Sequence, residues 1–163
     1  MQQAIYDKPY IIFFTLAVVG ASACFDAKYR RVPNYITFPA MVIGLLLAGF
    51  PFTKESYIRL FALLIIFLLG QNRLMGMGDL KMIMAVAALR GYREAWWMFL
   101  LGVLIMTAFC FLTEPRQTAE AFRNVFRLFK YRTGTLERNG KEYPFAVFLA
   151  LGYLWVCIWR AAA

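Results

Sequence analysis

Long uncharged runs separated by short charged segments dominate this chain of 163 residues. The runs cover residues 9–25, 32–53, 60–72, 82–89, 95–113 and 143–159. A membrane-spanning helix needs about 20 mostly apolar residues, and five runs qualify once the third is extended to include a snorkelling Arg59. The pattern predicts an all-α polytopic membrane protein that forms a single domain over 1–163. Six transmembrane helices are expected, roughly at 9–26, 33–52, 56–72, 79–92, 94–113 and 143–160.

The fourth run is short, and its shortness is informative. Only residues 82–89 are uncharged between the flanking cations, and a helix over 79–92 would be about 21 Å long. Because a hydrocarbon core is about 30 Å thick, one end of this helix is expected below the membrane surface. The preceding Gly-Met-Gly at 76–78 permits irregular backbone, which is tolerated at that depth only inside protein or beside a watery cavity. We therefore expect Asp79 to open a helix inside a wet, protein-lined pocket.

Lysine and arginine are divided unequally between the two sets of connecting loops, and the cytoplasmic side normally carries the excess. Twelve fall in one set: Lys28, Arg30, Arg31, Arg73, Lys81, Arg116, Arg123, Arg127, Lys130, Arg132, Arg138 and Lys141. Six fall in the other: Lys8, Lys54, Arg59, Arg90, Arg93 and Arg160. With six crossings, both termini lie outside the cytoplasm. Asp26 and Asp79 then share the cytoplasmic face of the plasma membrane.

The longest connection, 114–142, contains a stretch of helical periodicity. Its apolar side is formed by Phe122, Val125, Phe126 and Phe129, and cations lie elsewhere on the same helix. This pattern predicts a basic amphipathic cytoplasmic helix on an anionic inner leaflet. A solvated loop helix that packs its phenylalanines on the bundle is an equal alternative.

Composition agrees with a membrane protein and argues against several other classes. Apolar residues make up 62% of the chain, whereas about 45–50% is usual in soluble domains. The net charge is +9, but the cations collect between apolar runs, so lipid is expected as a partner and nucleic acid is not. Cys24, Cys110 and Cys157 each stand alone in an apolar run, and histidine is absent. We therefore expect neither a metal site nor a cofactor.

Asp26 and Asp79 are the best candidates for chemistry, because ionisable residues at or within spans are costly and are read by default as functional. Two carboxylates brought together can share one proton and activate a water. Simpler roles remain open: Asp26 could form an interfacial ion pair, and Asp79 could answer the dipole of its own helix. The helix start favours charge on Asp79, while nearby cations favour charge on Asp26 equally well.

Three stretches of the chain form recognisable motifs. Asp26 is followed by the turn Arg31-Val32-Pro33-Asn34, in which proline ends one helix and can begin the next. Residues 76–81 read Gly-Met-Gly-Asp-Leu-Lys, and residues 141–146 read Lys-Glu-Tyr-Pro-Phe-Ala. In this order the stretches resemble the type IV prepilin peptidase family, membrane aspartyl proteases that include archaeal preflagellin peptidases.

The resemblance implies that Asp26 and Asp79 are the catalytic pair of a Gly-x-Gly-Asp protease. It adds supporting residues at Gly76, Gly78, Lys81, Arg31, Pro33, Asn34, Lys141 and Pro144. Lys81 lies two positions beyond Asp79 and so faces another side of the helix. It is expected either to anchor that helix end at the surface or to tune the pair.

The resemblance also implies the substrate, a pilin or pilin-like precursor with a short basic leader. The cut would fall at the cytoplasmic face after a small residue, usually Gly, ahead of a hydrophobic helix. The chain has none of the paired C-x-x-C motifs of larger bacterial members, so it resembles their short peptidase-only form without methyltransferase activity.

Two alternatives stand beside this reading, and the oligomeric state is open. One is an intramembrane protease of the signal-peptide-peptidase type, which shares only the second aspartate motif. The other is a non-catalytic or proton-coupled membrane protein, since acid pairs also serve proton relays.

Overall fold

The computed structural model describes residues 9–50, 52–70, 76–115 and 144–162. Within those ranges the chain forms six helices and no strand: α1 (Pro9–Tyr29), α2 (Asn34–Leu47), α3 (Lys54–Gly70), α4 (Met77–Arg90), α5 (Tyr92–Thr113) and α6 (Phe145–Ala162). The predicted all-α class is confirmed. Of the segment 114–142, the structure describes only residues 114 and 115. The basic helix predicted there and the candidate site residue Lys141 lie outside the described residues.

Three of these helices, α1, α5 and α6, are long and apolar enough to cross a membrane, and α2 is a shorter apolar helix. Their outer faces carry large apolar side chains such as Phe13, Leu104 and Trp155, each more than half exposed. The protein is therefore a membrane protein. Six crossings remain a prediction, because α2 and α4 have 14 residues each and α3 has 17.

α4 lies at the centre of the helix bundle and packs against each of the other five described helices. Its side chains Met82, Ala85, Val86, Ala88 and Leu89 are completely buried. A helix that is apolar on all sides is typical of a position surrounded by protein. Because α4 faces protein over most of its length, it needs no long lipid-facing surface, which accounts for the short fourth run of the sequence.

Small residues bring the helix backbones close together. A Cβ atom added to Gly44 of α2 would lie 2.4 Å from the carbonyl carbon of Ala88 in α4. One added to Gly152 of α6 would lie 2.8 Å from the backbone nitrogen of Gly102 in α5. Between helices in a bilayer, close packing replaces the hydrophobic effect as the main attraction. These glycines therefore set the spacing of α2 against α4 and of α5 against α6.

The snorkelling predicted for Arg59 is wrong. Its side chain is buried in the bundle, with 7% of the residue exposed, and Nη1 donates hydrogen bonds to the carbonyl oxygens of Ala88 (2.7 Å) and Leu89 (3.4 Å). The last carbonyl groups of a helix have no partner within that helix. Arg59 of α3 thus satisfies the end of α4 from inside the protein.

A buried ion network lies at the same end of α4. Arg90 Nε is 2.6 Å from Glu94 Oε2, and Arg160 Nη1 of α6 is 2.7 Å from Glu94 Oε1. Only 5% of Glu94 is exposed, and a buried carboxylate needs such partners. The network joins the end of α4 and the start of α5 to the end of α6.

Two glycines with positive φ account for two of the differences between the predicted and observed helix ends. Gly49 (φ 83°) turns the chain after α2, which ends at Leu47 rather than at 52. Gly91 (φ 100°) separates α4 from α5, so α4 ends at Arg90 rather than at 92. Left-handed backbone is readily adopted by glycine, and it interrupts a helix wherever it occurs.

Candidate active site

Asp26 lies in the last turn of α1. The backbone N–H of Arg30 donates to the carbonyl oxygen of Asp26 at 2.8 Å, and Arg30 itself has left-handed backbone with φ 53°. The chain then turns through Val32 and Pro33, where Pro33 is the N-cap of α2 with φ −74° and ψ 140°. Proline suits this place because it has no N–H to satisfy and its φ is already near the helical value. The predicted turn after Asp26 is confirmed.

Asp79 lies in the first turn of α4, whose N-cap is Gly76. A Cβ atom added to Gly76 would lie 2.9 Å from Asp79 Oδ2, so the carboxylate folds back over the residue that begins the helix. Oδ1 of Asp79 is buried and has no hydrogen-bond partner among the described residues. The absence of a side chain at Gly76 thus makes room for the carboxylate.

Gly78 has a different reason to lack a side chain. A Cβ atom there would lie 3.1 Å from Cγ2 of Val32, which is buried in the turn between α1 and α2. The two halves of the site meet at this contact, because Val32 follows Asp26 in sequence and Gly78 precedes Asp79. The Gly-x-Gly-Asp motif therefore combines one glycine beside the carboxylate with one at the contact to the first aspartate's turn.

Both aspartates line one cavity of about 890 Å³ at the ends of the helices, and they lie close enough for their charges to interact. Of the supporting residues expected from the sequence, the lining includes Gly76, Gly78, Lys81, Arg31, Pro33, Asn34 and Pro144. Each of these therefore lies beside the aspartate pair. Lys81 lines the same cavity as Asp79, although it was expected on another side of the helix. Whether it anchors that helix end or tunes the pair stays a prediction.

The start of α6 closes the cavity on the side of Asp26. Pro144 and Phe145 belong to the lining, and the Asp26 carboxylate interacts with the backbone N–H of Ala146. The first N–H groups of a helix have no partner inside the helix and carry partial positive charge. The start of α6 therefore offsets part of the cost that burial imposes on a charged Asp26 carboxylate.

Several lining residues were not among the predicted site residues. They are Phe25, Tyr29, Arg30, Val32, Met77, Met106 and Phe145. Arg30 had a signal, since it lies four residues beyond Asp26 and thus on the same face of a helix. Met106 had none, because it lies in the middle of the long apolar α5, where one apolar residue looks like the next.

The arrangement provides two carboxyl groups on one open cavity, with cations and helix N-termini around them. Two carboxylates so placed hold a single proton more easily than two negative charges. The pair can then remove a proton from water with one member and donate a hydrogen bond with the other, which is the chemistry of peptide hydrolysis by aspartyl enzymes.

A comparison with known protein families agrees with this arrangement. The family model of the type IV leader peptidases matches residues 11–112, a range that contains both aspartates and α1 to α4 with nearly all of α5. No curated protein and no solved structure matches the chain. The matched range is more than half of the 163 residues, and the chain therefore belongs to the type IV leader peptidase family, whose members are peptidases that act on pilin-like precursors.

Proposed function

We propose that this protein is an aspartyl endopeptidase that removes the short basic leader of type IV pilin-like precursors. The cut falls after a small residue, usually Gly, ahead of the precursor's hydrophobic helix. The observation that carries the proposal is the meeting of Asp26 and Asp79 on one cavity at the ends of α1 and α4. Family membership gives the general activity, and the pair gives the reaction type without a metal or cofactor.

The proposed reaction uses one water and one proton held between the carboxyl groups. The ionised carboxylate takes a proton from the water as its oxygen attacks the scissile carbonyl carbon. The protonated carboxyl donates to the carbonyl oxygen and stabilises the tetrahedral intermediate. The C–N bond then breaks and the leaving nitrogen takes a proton from the pair. The products are the leader, which has a new carboxyl terminus, and the mature protein, which has a free amino terminus.

The position of the cavity suits a substrate that enters from the membrane surface. Its lining combines exposed groups such as Tyr29 and Asn34 with the half-buried Phe145 and Met106. A polar leader can thus occupy the open side while the first apolar residues of the precursor helix meet the apolar wall. Glycine at the cut leaves room for the carboxyl pair beside the scissile bond.

The charge distribution supports an active site on the cytoplasmic face of the inner membrane. Lys28, Arg30 and Arg31 surround the Asp26 end, and all three are exposed. Exposed cations at one end of a bundle favour the cytoplasmic, anionic leaflet. We infer a multi-pass protein with six crossings, one domain over 1–163, and both aspartates on the cytoplasmic side.

The test is cleavage of a pilin-like precursor by purified protein in detergent, with the new amino terminus sequenced. Asp26→Asn and Asp79→Asn are each expected to lower the cleavage rate by about 100-fold or more, because each removes one acid–base partner. Glu55→Gln is the matched control, an exposed carboxylate in the first turn of α3. It is expected to cleave at the wild-type rate.

The same experiment separates the two rival functions. A protease of the signal-peptide-peptidase type would cut within an apolar helix of a remnant signal peptide rather than before it. A proton-coupled carrier would cut nothing and would move protons across vesicles in a manner that depends on the aspartates. Wild-type cleavage by either asparagine variant would remove that aspartate from the mechanism.

A further inference from the structure

The two carboxyl groups of the proposed site have unequal surroundings. Asp26 interacts with the backbone N–H of Ala146 at the start of α6 and with the guanidinium of Arg30. Asp79 has a buried Oδ1 without a hydrogen-bond partner among the described residues. Burial disfavours a negative charge on both groups, but only at Asp26 do a donor and a cation offset it. These surroundings distinguish the two members of the pair, which the sequence left equivalent.

Arg30 lies in a conformation that does not suit its residue type. Its φ of 53° makes it the one non-glycine residue with positive φ in the described part of the chain. The position directly after a helix commonly has this backbone, and glycine is usual there because it has no Cβ. An arginine at this position is less favourable for the fold than a glycine. Its side chain lines the cavity that contains both aspartates.

We propose that Asp26 is the ionised member of the pair and that Arg30 is a positioning residue that keeps the negative charge on Asp26. The proposal rests on the proposed peptidase function and deepens it. Asp26 is then the base that takes the proton from water, and Asp79 is the acid that donates to the scissile carbonyl. Arg30 acts through Asp26 and is not itself required to touch the substrate.

Other charged groups also face this cavity. Asp79 and Lys81 approach from α4, and Arg31 approaches from the turn that leads to α2. A negative charge on Asp79 disfavours a negative charge on Asp26, and the reverse holds equally. Lys81 and Arg31 line the cavity shared by both acids, so their charges do not distinguish the two acids. Arg30 differs because it follows Asp26 by four residues, and its positive charge acts on the Asp26 carboxylate.

Substitution of Arg30 tests this role through the pH dependence of cleavage. Without the cation, Asp26 ionises less readily. On acidification, activity should therefore begin to fall at a higher pH than in the wild type. For an exposed pair of opposite charges the expected displacement of the acid limb is about 0.2 to 0.7 pH units. Arg30→Gly and Arg30→Asn should both show this displacement of the acid limb. In Arg30→Glu the displacement should be about twice as large, and in Arg30→Lys the acid limb should remain near that of the wild type.

Fold stability provides the readout that separates a charge effect from a structural one. Arg30→Gly removes an unfavourable backbone conformation, so its thermal midpoint in detergent should equal or exceed that of the wild type. Arg30→Lys and Arg30→Glu keep that conformation and should melt near the wild-type temperature. The acid limb is therefore expected to follow the charge at position 30 and not the melting temperature. Arg93→Glu, an exposed site at the opposite end of α4, is the control and should leave the limb in place.

An acid limb that does not move across the series, or that moves with stability, would overturn the role of Arg30 while leaving cleavage itself intact. Infrared spectroscopy without substrate tests the charge assignment separately. At neutral pH, Asp79→Asn should remove the band of a protonated carboxyl group, and Asp26→Asn should remove a carboxylate band. The reverse pattern would place the charge on Asp79. Because this measurement needs no cleavage, it stands even if no pilin-like precursor is cut.

Discussion

Replacement of Gly76 by alanine is expected to affect the proposed reaction rather than the stability of the fold. An alanine Cβ would lie 2.9 Å from Asp79 Oδ2, and the nearest atoms all belong to that one carboxyl group. The side chain can rotate away, so stability should change little. The carboxyl group would leave its place beside the cavity, and a displacement of about 1 Å can lower a rate by about 100-fold.

We therefore expect Gly76→Ala to lower kcat for precursor cleavage by about 10- to 100-fold with an unchanged thermal midpoint. Gly20→Ala is the control, because a Cβ atom there meets nothing within 4 Å. Both variants are compared by single-turnover cleavage and by melting in the same detergent. A Gly76→Ala protein with wild-type kcat would show that Asp79 does not need this position.

At this scale the sequence predicted which residues meet but not how they are arranged. Gly76, Gly78 and Asp79 were visible because glycines before an acid are unusual at the start of an apolar run. Gly76 faces the nearby carboxylate of Asp79, whereas Gly78 faces Val32, which is 46 residues away in the sequence. Local pattern contains no information about such contacts. The left-handed backbone of Arg30 was equally hidden, since arginine rarely adopts it.

Among the elements, α4 depends most on close approach. A Cβ atom on Gly44 would lie 2.4 to 2.6 Å from backbone atoms of Ala88 and Leu89, and backbone cannot rotate aside as a side chain can. Gly44→Ala must therefore push α2 away from α4. Overpacking of this kind typically costs about 1–3 kcal/mol.

The expected result for Gly44→Ala is a lower midpoint in a denaturation titration in mixed micelles, again with Gly20→Ala as the reference. Cleavage should fall as well, because α2 also carries the turn that meets Gly78. If Gly44→Ala unfolds at the wild-type midpoint, α2 and α4 are further apart than described here.

Element boundaries show what run length alone can predict. The predicted fifth and sixth spans, 94–113 and 143–160, lie within two residues of α5 and α6 at each end, because each has a charge or a proline at its border. α2 ends five residues before its predicted end, since Gly49 turns the chain inside an uncharged run. The role of Arg59 was missed because an arginine at the edge of an apolar run is normally assigned to the surface.

Over the whole molecule, the two ends of the bundle use their cations differently. At the end that carries the aspartates, Lys28, Arg30 and Arg31 are exposed. At the other end, Arg59 and Arg90 are buried, and Arg160 pairs with the buried Glu94. Cations engaged inside the protein contribute little to the attraction of anionic lipid. Among the described residues, Lys54 and Arg93 are also exposed at this end, but the burial of Arg59 and Arg90 lowers the exposed positive charge there and supports the proposed orientation.

The orientation can be tested with single cysteines in a background in which Cys24, Cys110 and Cys157 are replaced by serine. One cysteine at a time is placed at a helix end, in place of Lys28 (end of α1), Lys54 (start of α3), Arg93 (start of α5) or Glu114 (directly after α5). If α2 and α5 cross the membrane and the aspartates face the cytoplasm, Lys54→Cys and Arg93→Cys should react with a membrane-impermeant maleimide on intact cells. Lys28→Cys and Glu114→Cys should react only after the membrane is opened, because they lie at the cytoplasmic ends of α1 and α5.

Two results would contradict distinct parts of this topology. Labelling of Lys28→Cys in intact cells would place the aspartate cavity outside the cytoplasm, where a precursor awaiting export is not available. Labelling of Lys28→Cys and Lys54→Cys from the same side would mean that the 14-residue α2 does not cross. α4 would then lose its neighbour at membrane depth, although Gly44 packs directly against its backbone. Since polar backbone at the start of α4 is tolerated only inside protein or beside water, we expect α2 to cross and to shield it.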